Sequence, residues 1–197
     1  SGGLNRIIHY RNEINSELSD SKCSQIQSRK RFHYKNLIQA GKIKVRDGVL
    51  RLINELSTFD VEQFIVTTSG KESLEPFLNT SLLSHLDHFS GMVTYEDVSN
   101  HKPFPDAYKL ALKLSKQSEV NCLAIEDSMI GVEAASAANL NCLLTLPPWL
   151  SSTQKFSNEA NACVNSLGNE DNPSKIIYGK DLTGKNVNVE YLTKIIN

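Results

Sequence analysis

The sequence predicts an α/β fold: a doubly wound parallel sheet preceded by a short all-helical segment. Two observations carry this. Short apolar runs at 61–68, 88–94, 121–127 and 139–146 alternate with amphipathic stretches at 48–57, 71–80, 105–115 and 129–138. Such a β-α-β-α-β order at this spacing places successive strands parallel, with helices as the crossovers. Residues 3–41, by contrast, show only helical periodicity, so the chain changes character once, near Lys42.

Taken in order, Leu4, Ile7, Ile8 and Ile14 give a loose helical period that Cys23, Ile26 and the run RKRFHYKNLI continue, with Gly41 placed as the C-terminal stop. Asp47 is expected to cap the helix GVLRLINELS. VEQFIVTT reads as a buried strand, KESLEPFLNT as a short helix, and HFSGMVT as a short strand. In PDAYKLALKLS, Ala107, Leu110, Ala111 and Leu114 share one helix face. NCLAIED is a strand, MIGVEAASAA a helix of small residues, and NLNCLLTL a further strand. Cys163 and Val164 are assigned to an edge strand, and VNVEYLTKII to a closing helix. Two units follow, a helical one at 1–41 and an α/β one at 42–197.

Composition narrows the function classes. With 40% apolar and 22% charged residues, the 197-residue chain has the make-up of an ordinary globular protein. A formal net charge of -1 provides no field to gather nucleic acid or an anionic membrane surface. No apolar run approaches the roughly 20 residues of a membrane span, and the first residues lack a secretory-signal pattern. Neither nucleic acid nor membrane is therefore an expected partner, and the protein is expected to be a monomer. Cys23, Cys122, Cys142 and Cys163 form no CxxC pair and no zinc-ligand spacing. They read as reduced thiols in a reducing, cytoplasmic compartment.

Ligands of open α/β sheets bind beyond the carboxyl ends of the strands. Three such places carry suggestive chemistry. Thr67 and Thr68 end one strand; a hydroxyl there, with the amides of the following turn, can donate to phosphate oxygens, although a strand-end threonine equally serves as a helix cap. Lys102 opens KPFPDAY, where Pro103 and Pro105 stiffen the chain so that the ammonium can face a transferring phosphoryl group; the alternative is a solvated lysine beside a turn. Glu126 and Asp127 end the apolar run CLAI, and paired carboxylates there would be stabilised by a hard cation such as Mg2+ or, as a helix N-cap pair, by the helix dipole. Ser128 and Gly131 follow, the latter allowing close backbone approach.

Thr67, K-P-x-P-D from Lys102 and E-D-S-x-x-G from Glu126 together resemble motifs two, three and four of the haloacid dehalogenase superfamily. The resemblance covers about residues 41–150 and implies a Rossmann-like core. It also implies roles: Thr67 binds the phosphoryl oxygen, Lys102 neutralises it, Asp127 ligates Mg2+, and Glu126 either acts through metal-bound water or orients Lys102. Within the superfamily the chain is similar to β-phosphoglucomutase-type proteins and above all to CbbY-like phosphatases, whose cap begins with paired glycines and basic residues. The counterparts are Gly2 and Gly3 with Arg6, then Arg29, Lys30 and Arg31, then Arg46 to Ile53. Two positions depart from the pattern: Leu4 stands where a basic residue often follows the glycines, and Asp47 where proline is usual. By this resemblance residues 1–41 are a partial helical cap, and Gly3, Arg6, Lys30 and Arg46 are substrate contacts. The implied activity is Mg2+-dependent release of phosphate from a small phosphorylated sugar, xylulose 1,5-bisphosphate being the group's known example. A phosphosugar mutase, or a non-catalytic phosphosugar-binding protein, is the alternative. A plastid stroma would replace the cytoplasm in a photosynthetic eukaryote.

The superfamily's reaction also needs a strand ending in Asp-x-Asp-Gly, whose first aspartate attacks phosphorus and whose second moves the proton. The nearest string, VRDGVL, has Val45 at the attacking position and lacks a strand-like apolar run, so it reads as the start of a helix. The expectation is that the nucleophile lies on a segment ahead of Ser1, that the sheet as given lacks its first strand, and that these residues alone are inactive. GKDLTGKN approaches a phosphate-binding loop, but Asn186 replaces the Ser or Thr that would meet Mg2+. His9, His33, His85, His88 and His101 show no ligand spacing, and only His101, beside Lys102, is near enough in sequence to touch substrate.

Overall fold

A computed structural model describes residues 3–147 and 159–197. Two helices, α1 (Gly3–Glu13) and α2 (Asp20–Gln39), come first. Ser19 caps α2 by accepting from the Lys22 amide. Its far end closes as a Schellman turn: the Lys42 amide bonds Leu37 O and the Gly41 amide bonds Ile38 O, both at 2.9 Å, with Gly41 at φ 65°. The helical stop predicted at Gly41 is therefore present, and α2 packs on a later helix of the α/β part.

That part runs α3 (Val49–Thr58), β1 (Phe64–Val66), α4 (Lys71–Ser81), β2 (Gly91–Val93), α5 (Asp106–Ser115), β3 (Leu123–Glu126), α6 (Met129–Ala137), β4 (Asn141–Thr145), β5 (Ala162–Val164), β6 (Ile176–Tyr178) and α7 (Val189–Ile196). Strands β3, β4 and β5 are parallel neighbours, and β1 pairs in parallel with β2. Both faces of the larger sheet are covered. Cys142, Leu144 and Cys163 point into a cluster with Tyr108, Val132, Ala134 and Ala135 of α5 and α6. Leu143, Ala162 and Val164 point the other way, onto Leu52 of α3 and Tyr191, Leu192 and Ile195 of α7. This alternation of period two with helices on each face is the doubly wound, Rossmann-like arrangement that the pattern predicts.

The strands form two sheets, β1-β2 and β3-β4-β5-β6, with no hydrogen-bonded pairing between β1 and β3. Two expectations need correction. Cys163 and Val164 lie on an interior strand, not at the edge; the edge is β6, antiparallel to β5. Three residues of β6 alternate too briefly to register as a period, which is why the sequence does not announce it. Asp47 does not cap α3. Gly48 is the N-cap, at φ 82°, and a Cβ there would lie 2.4 Å from Gly168 O, so the close passage of the 167–168 loop demands glycine. The stretch 45–50 nonetheless leads into a helix, as expected.

All four cysteines are free. Burial pushes the Cys142 thiol up to about 12 and Cys163 up to about 11, so at neutral pH both stay protonated and poor nucleophiles. Alkylation of the native protein at pH 8, read by mass spectrometry, should leave these two unmodified until denaturant is added. Equal labelling with and without denaturant would contradict their burial. Among the described residues, no helix is long and apolar enough to cross a membrane.

Candidate functional site

The carboxyl ends of β1 and β3 bring the predicted residues together. Thr67 extends the β1 ladder, its amide bonded to Val93 O at 2.9 Å. Its hydroxyl oxygen accepts the Ser69 amide at 3.0 Å. That bond leaves the hydroxyl proton unused, and Thr68, half-buried, follows directly. The loop is held from the other side by Glu96, whose carboxylate accepts the Lys71 amide at 3.1 and 3.2 Å. Its own backbone amide, then the Lys71 amide and the Thr94 hydroxyl, hold Glu96 below the usual carboxylate range.

Lys102 is 7% exposed, far from the solvated lysine that the sequence left open. It follows β2 and precedes α5, joined to Pro103 by a cis peptide bond. Its ammonium donates to Val66 O at 3.1 Å and to a carboxylate oxygen, Oε1, of Glu126. The lysine therefore ties the end of β1 to the end of β3 across the interval where the two sheets are not paired. Glu126, also 7% exposed, receives a second donor at the same oxygen, the Tyr108 hydroxyl. Its other oxygen, Oε2, accepts the Asp127 amide at 3.3 Å and lies over Gly131. Two buried charges in such contact satisfy each other, which isolated burial would not allow.

Of the two roles left open for Glu126, the geometry favours orienting Lys102 over meeting a metal, since Oε1 is occupied by two donors. Asp127 is exposed, one residue beyond β3. Among the described residues no group of three or more His, Cys, Asp or Glu side chains is arranged to hold a metal. Mg2+ needs less: one or two carboxylates, with waters and phosphate oxygens completing its octahedron. Asp127 fits as one such carboxylate.

The predicted substrate contacts fare differently. Gly3 opens α1, where a Cβ would lie 2.5 Å from the Gln27 side chain of α2, so its smallness serves helix packing. Arg6 and Lys30 are exposed on α1 and α2. Gly2 lies outside the described residues. Arg46 is engaged by the protein itself: its guanidinium donates to Thr145 O at 3.3 Å, Thr145 Oγ1 at 3.0 Å, Leu146 O at 2.5 Å and Asn165 O at 3.4 Å. A guanidinium spent on four protein acceptors holds the end of β4 to the chain beyond β5. His101 stacks on Tyr95 with ring centroids 3.8 Å apart, which steadies the approach to Lys102.

A lysine, a carboxylate pair and a hydroxyl-bearing turn thus stand at the strand ends of a Rossmann-like sheet, where ligands of such sheets bind. Comparison with known proteins makes this specific. Residues 5–145 match the profile of the haloacid dehalogenase-like hydrolases, and the chain belongs to that family. It is 29% identical over 146 residues to protein CbbY of Rhodobacter capsulatus, covering 74% of this chain and 64% of that protein. It is 32% identical over 149 residues to a haloacid dehalogenase-like hydrolase domain-containing protein of Arabidopsis thaliana, covering 73% of this chain and 45% of that one. The chain thus spans less than two thirds of either relative. Among solved structures, CbbY from Rhodobacter sphaeroides in complex with xylulose-(1,5)bisphosphate superposes with a TM-score of 0.74 at 25% identity, covering 85% of this chain and 76% of that one. A β-phosphoglucomutase from Clostridium difficile superposes at 0.65 and 20% identity, covering 84% of this chain and 71% of that one.

Proposed function

We propose that the protein is a Mg2+-dependent phosphatase of small phosphorylated sugars, with Lys102, Thr67 and Asp127 handling the phosphoryl group. The observation that carries this is the buried Lys102–Glu126 pair at the strand ends: an ammonium taken out of water and held in place by a carboxylate. Similarity to CbbY, one of whose structures holds xylulose-(1,5)bisphosphate, supports the substrate class.

In this reading Thr67 donates its hydroxyl proton to a phosphoryl oxygen, and the amides of the 68–70 turn add further donors. Lys102 offsets the charge that accumulates on the equatorial oxygens, and Glu126 keeps its ammonium in place. Mg2+, held by Asp127 and the phosphate, would neutralise the group under attack. The attacking carboxylate belongs to a strand that fills the interval between β1 and β3. Their facing edges are unpaired in the described residues and their ends are one Lys102 side chain apart. That aspartate would form an acyl phosphate while the sugar oxygen leaves with a proton from a second carboxylate; water then cleaves the acyl phosphate. Residues 1–41 act as part of a cap over this site, and the described segment by itself would not turn over.

Asp127 is exposed, so Asp127→Asn should fold normally. In the full-length protein it should reduce Mg2+-dependent phosphate release by about 1,000-fold, the order of one charge stabiliser at phosphoryl transfer. Colorimetric phosphate detection over a panel of sugar mono- and bisphosphates, with and without EDTA, reads this. Undiminished release would refute the assignment. Turnover that required a bisphosphate activator and released no phosphate would indicate a mutase, and binding without turnover a phosphosugar-binding protein.

A further inference from the structure

Tyr108 lies on α5, 6% exposed, among residues that are otherwise apolar or small. A phenylalanine would fill this place as well, and a buried hydroxyl is unfavourable unless it is bonded. Here it is bonded to the group that matters. The phenol donates to Glu126 Oε1, the same oxygen that receives the Lys102 ammonium. Lys102 Nζ in turn sits 3.4 Å from the phenol oxygen and 4.6 Å from the centre of the ring. The tyrosine therefore touches both members of the buried ion pair, with its edge on the carboxylate and its face beneath the cation. Burial and the neighbouring Glu126 charge push the phenol well above its ordinary range, so it remains a donor at any working pH.

We infer that Tyr108 is a positioning residue for phosphoryl transfer: its hydroxyl fixes the Glu126 carboxylate, and through it the Lys102 ammonium, at the strand ends. Without the hydroxyl, Glu126 Oε1 keeps Lys102 as its donor but loses the contact that anchors it to α5. The carboxylate and the ammonium can then turn together, away from the position that meets the transferring group. Misplacement of this kind weakens the transition state more than the ground state, because the charge that Lys102 opposes grows as the reaction proceeds. This rests on the phosphatase reading above, but concerns a residue that does not itself touch substrate.

The test is Tyr108→Phe in the full-length protein, which keeps the ring, the packing and the cation–π contact. With wild type and Lys102→Ala as the reference pair, kcat should fall about tenfold, the order of one charge-assisted hydrogen bond, while KM changes by less than about twofold. Unchanged kcat, even with a lowered Tm, would assign the hydroxyl to stability alone and overturn the inference. If wild type and Lys102→Ala were equally inactive on every phosphosugar, the phosphatase reading would fail by itself, and Tyr108 is then judged by nitrogen NMR. The Lys102 Nζ resonance, identified by its loss in Lys102→Arg, should move and exchange faster in Tyr108→Phe. An identical resonance in both proteins would overturn the proposal.

Discussion

Replacing Lys102 by methionine is expected to abolish phosphate release and to destabilise the protein by about 3 kcal/mol or more, the usual effect of stranding one member of a buried pair. Both side chains are 7% exposed. With the ammonium gone, the Glu126 carboxylate would keep only the Tyr108 hydroxyl and the Asp127 amide as donors in a site with little water. The double variant Lys102→Met with Glu126→Gln removes the stranded charge, and should regain most of the lost stability while remaining inactive. Urea unfolding of the two variants, alongside the phosphate assay, separates these contributions. A single variant as stable as wild type would mean that the pair is not buried as described.

Gly131→Ala is expected to destabilise the protein by roughly 1–3 kcal/mol, as overpacking does, and to lower kcat at least tenfold. Helix propensity predicts the opposite sign, since alanine exceeds glycine by about 1 kcal/mol in a helix interior. The contact decides. A Cβ on Gly131 would lie 1.9 Å from Oε2 and 2.1 Å from the carboxyl carbon of Glu126. An unrestrained side-chain end could swing aside at little cost. Glu126 cannot do so without releasing both Lys102 and Tyr108. Thermal unfolding and steady-state kinetics of this variant check the sign; a stabilised, fully active Gly131→Ala protein would show that Glu126 has room to move.

The parts of this fold that were legible in the sequence are those with a long enough period. Strand β4 reads as a strand because Cys142, Leu143 and Leu144 form an apolar run bounded by a polar turn, and its two faces meet separate clusters. Helix α6 is recognisable from its small residues, which are small because α6 lies close on β3 and β4. That Thr67, Lys102 and Asp127 fall at neighbouring strand ends was legible, because strand ends gather residues from distant parts of the chain. Less was visible where a side chain's partner is remote and its type is ordinary. Tyr108 sits on the apolar face of a helix and looks like core until its hydroxyl is seen on Glu126. The role of Arg46 depends on carbonyls about 100 residues away, so nothing local distinguishes it from a substrate-binding arginine. At Gly48, the positive φ and the close passage of Gly168 arise from tertiary packing, and the neighbouring Asp47 looked the better cap.

In the proposed reaction a carboxylate nucleophile enters between β1 and β3 and attacks a phosphoryl group held by Thr67 and Lys102. Acid-quenching the full-length protein during turnover of a sugar phosphate, reducing the acyl phosphate with tritiated borohydride, which expels phosphate and leaves labelled homoserine, and mapping the labelled peptide tests this directly. The expected result is a single modified aspartate, the first of an Asp-x-Asp-Gly sequence, with labelling lost in Lys102→Met. Label on a residue within 3–197, or turnover with no acyl phosphate formed, would contradict it.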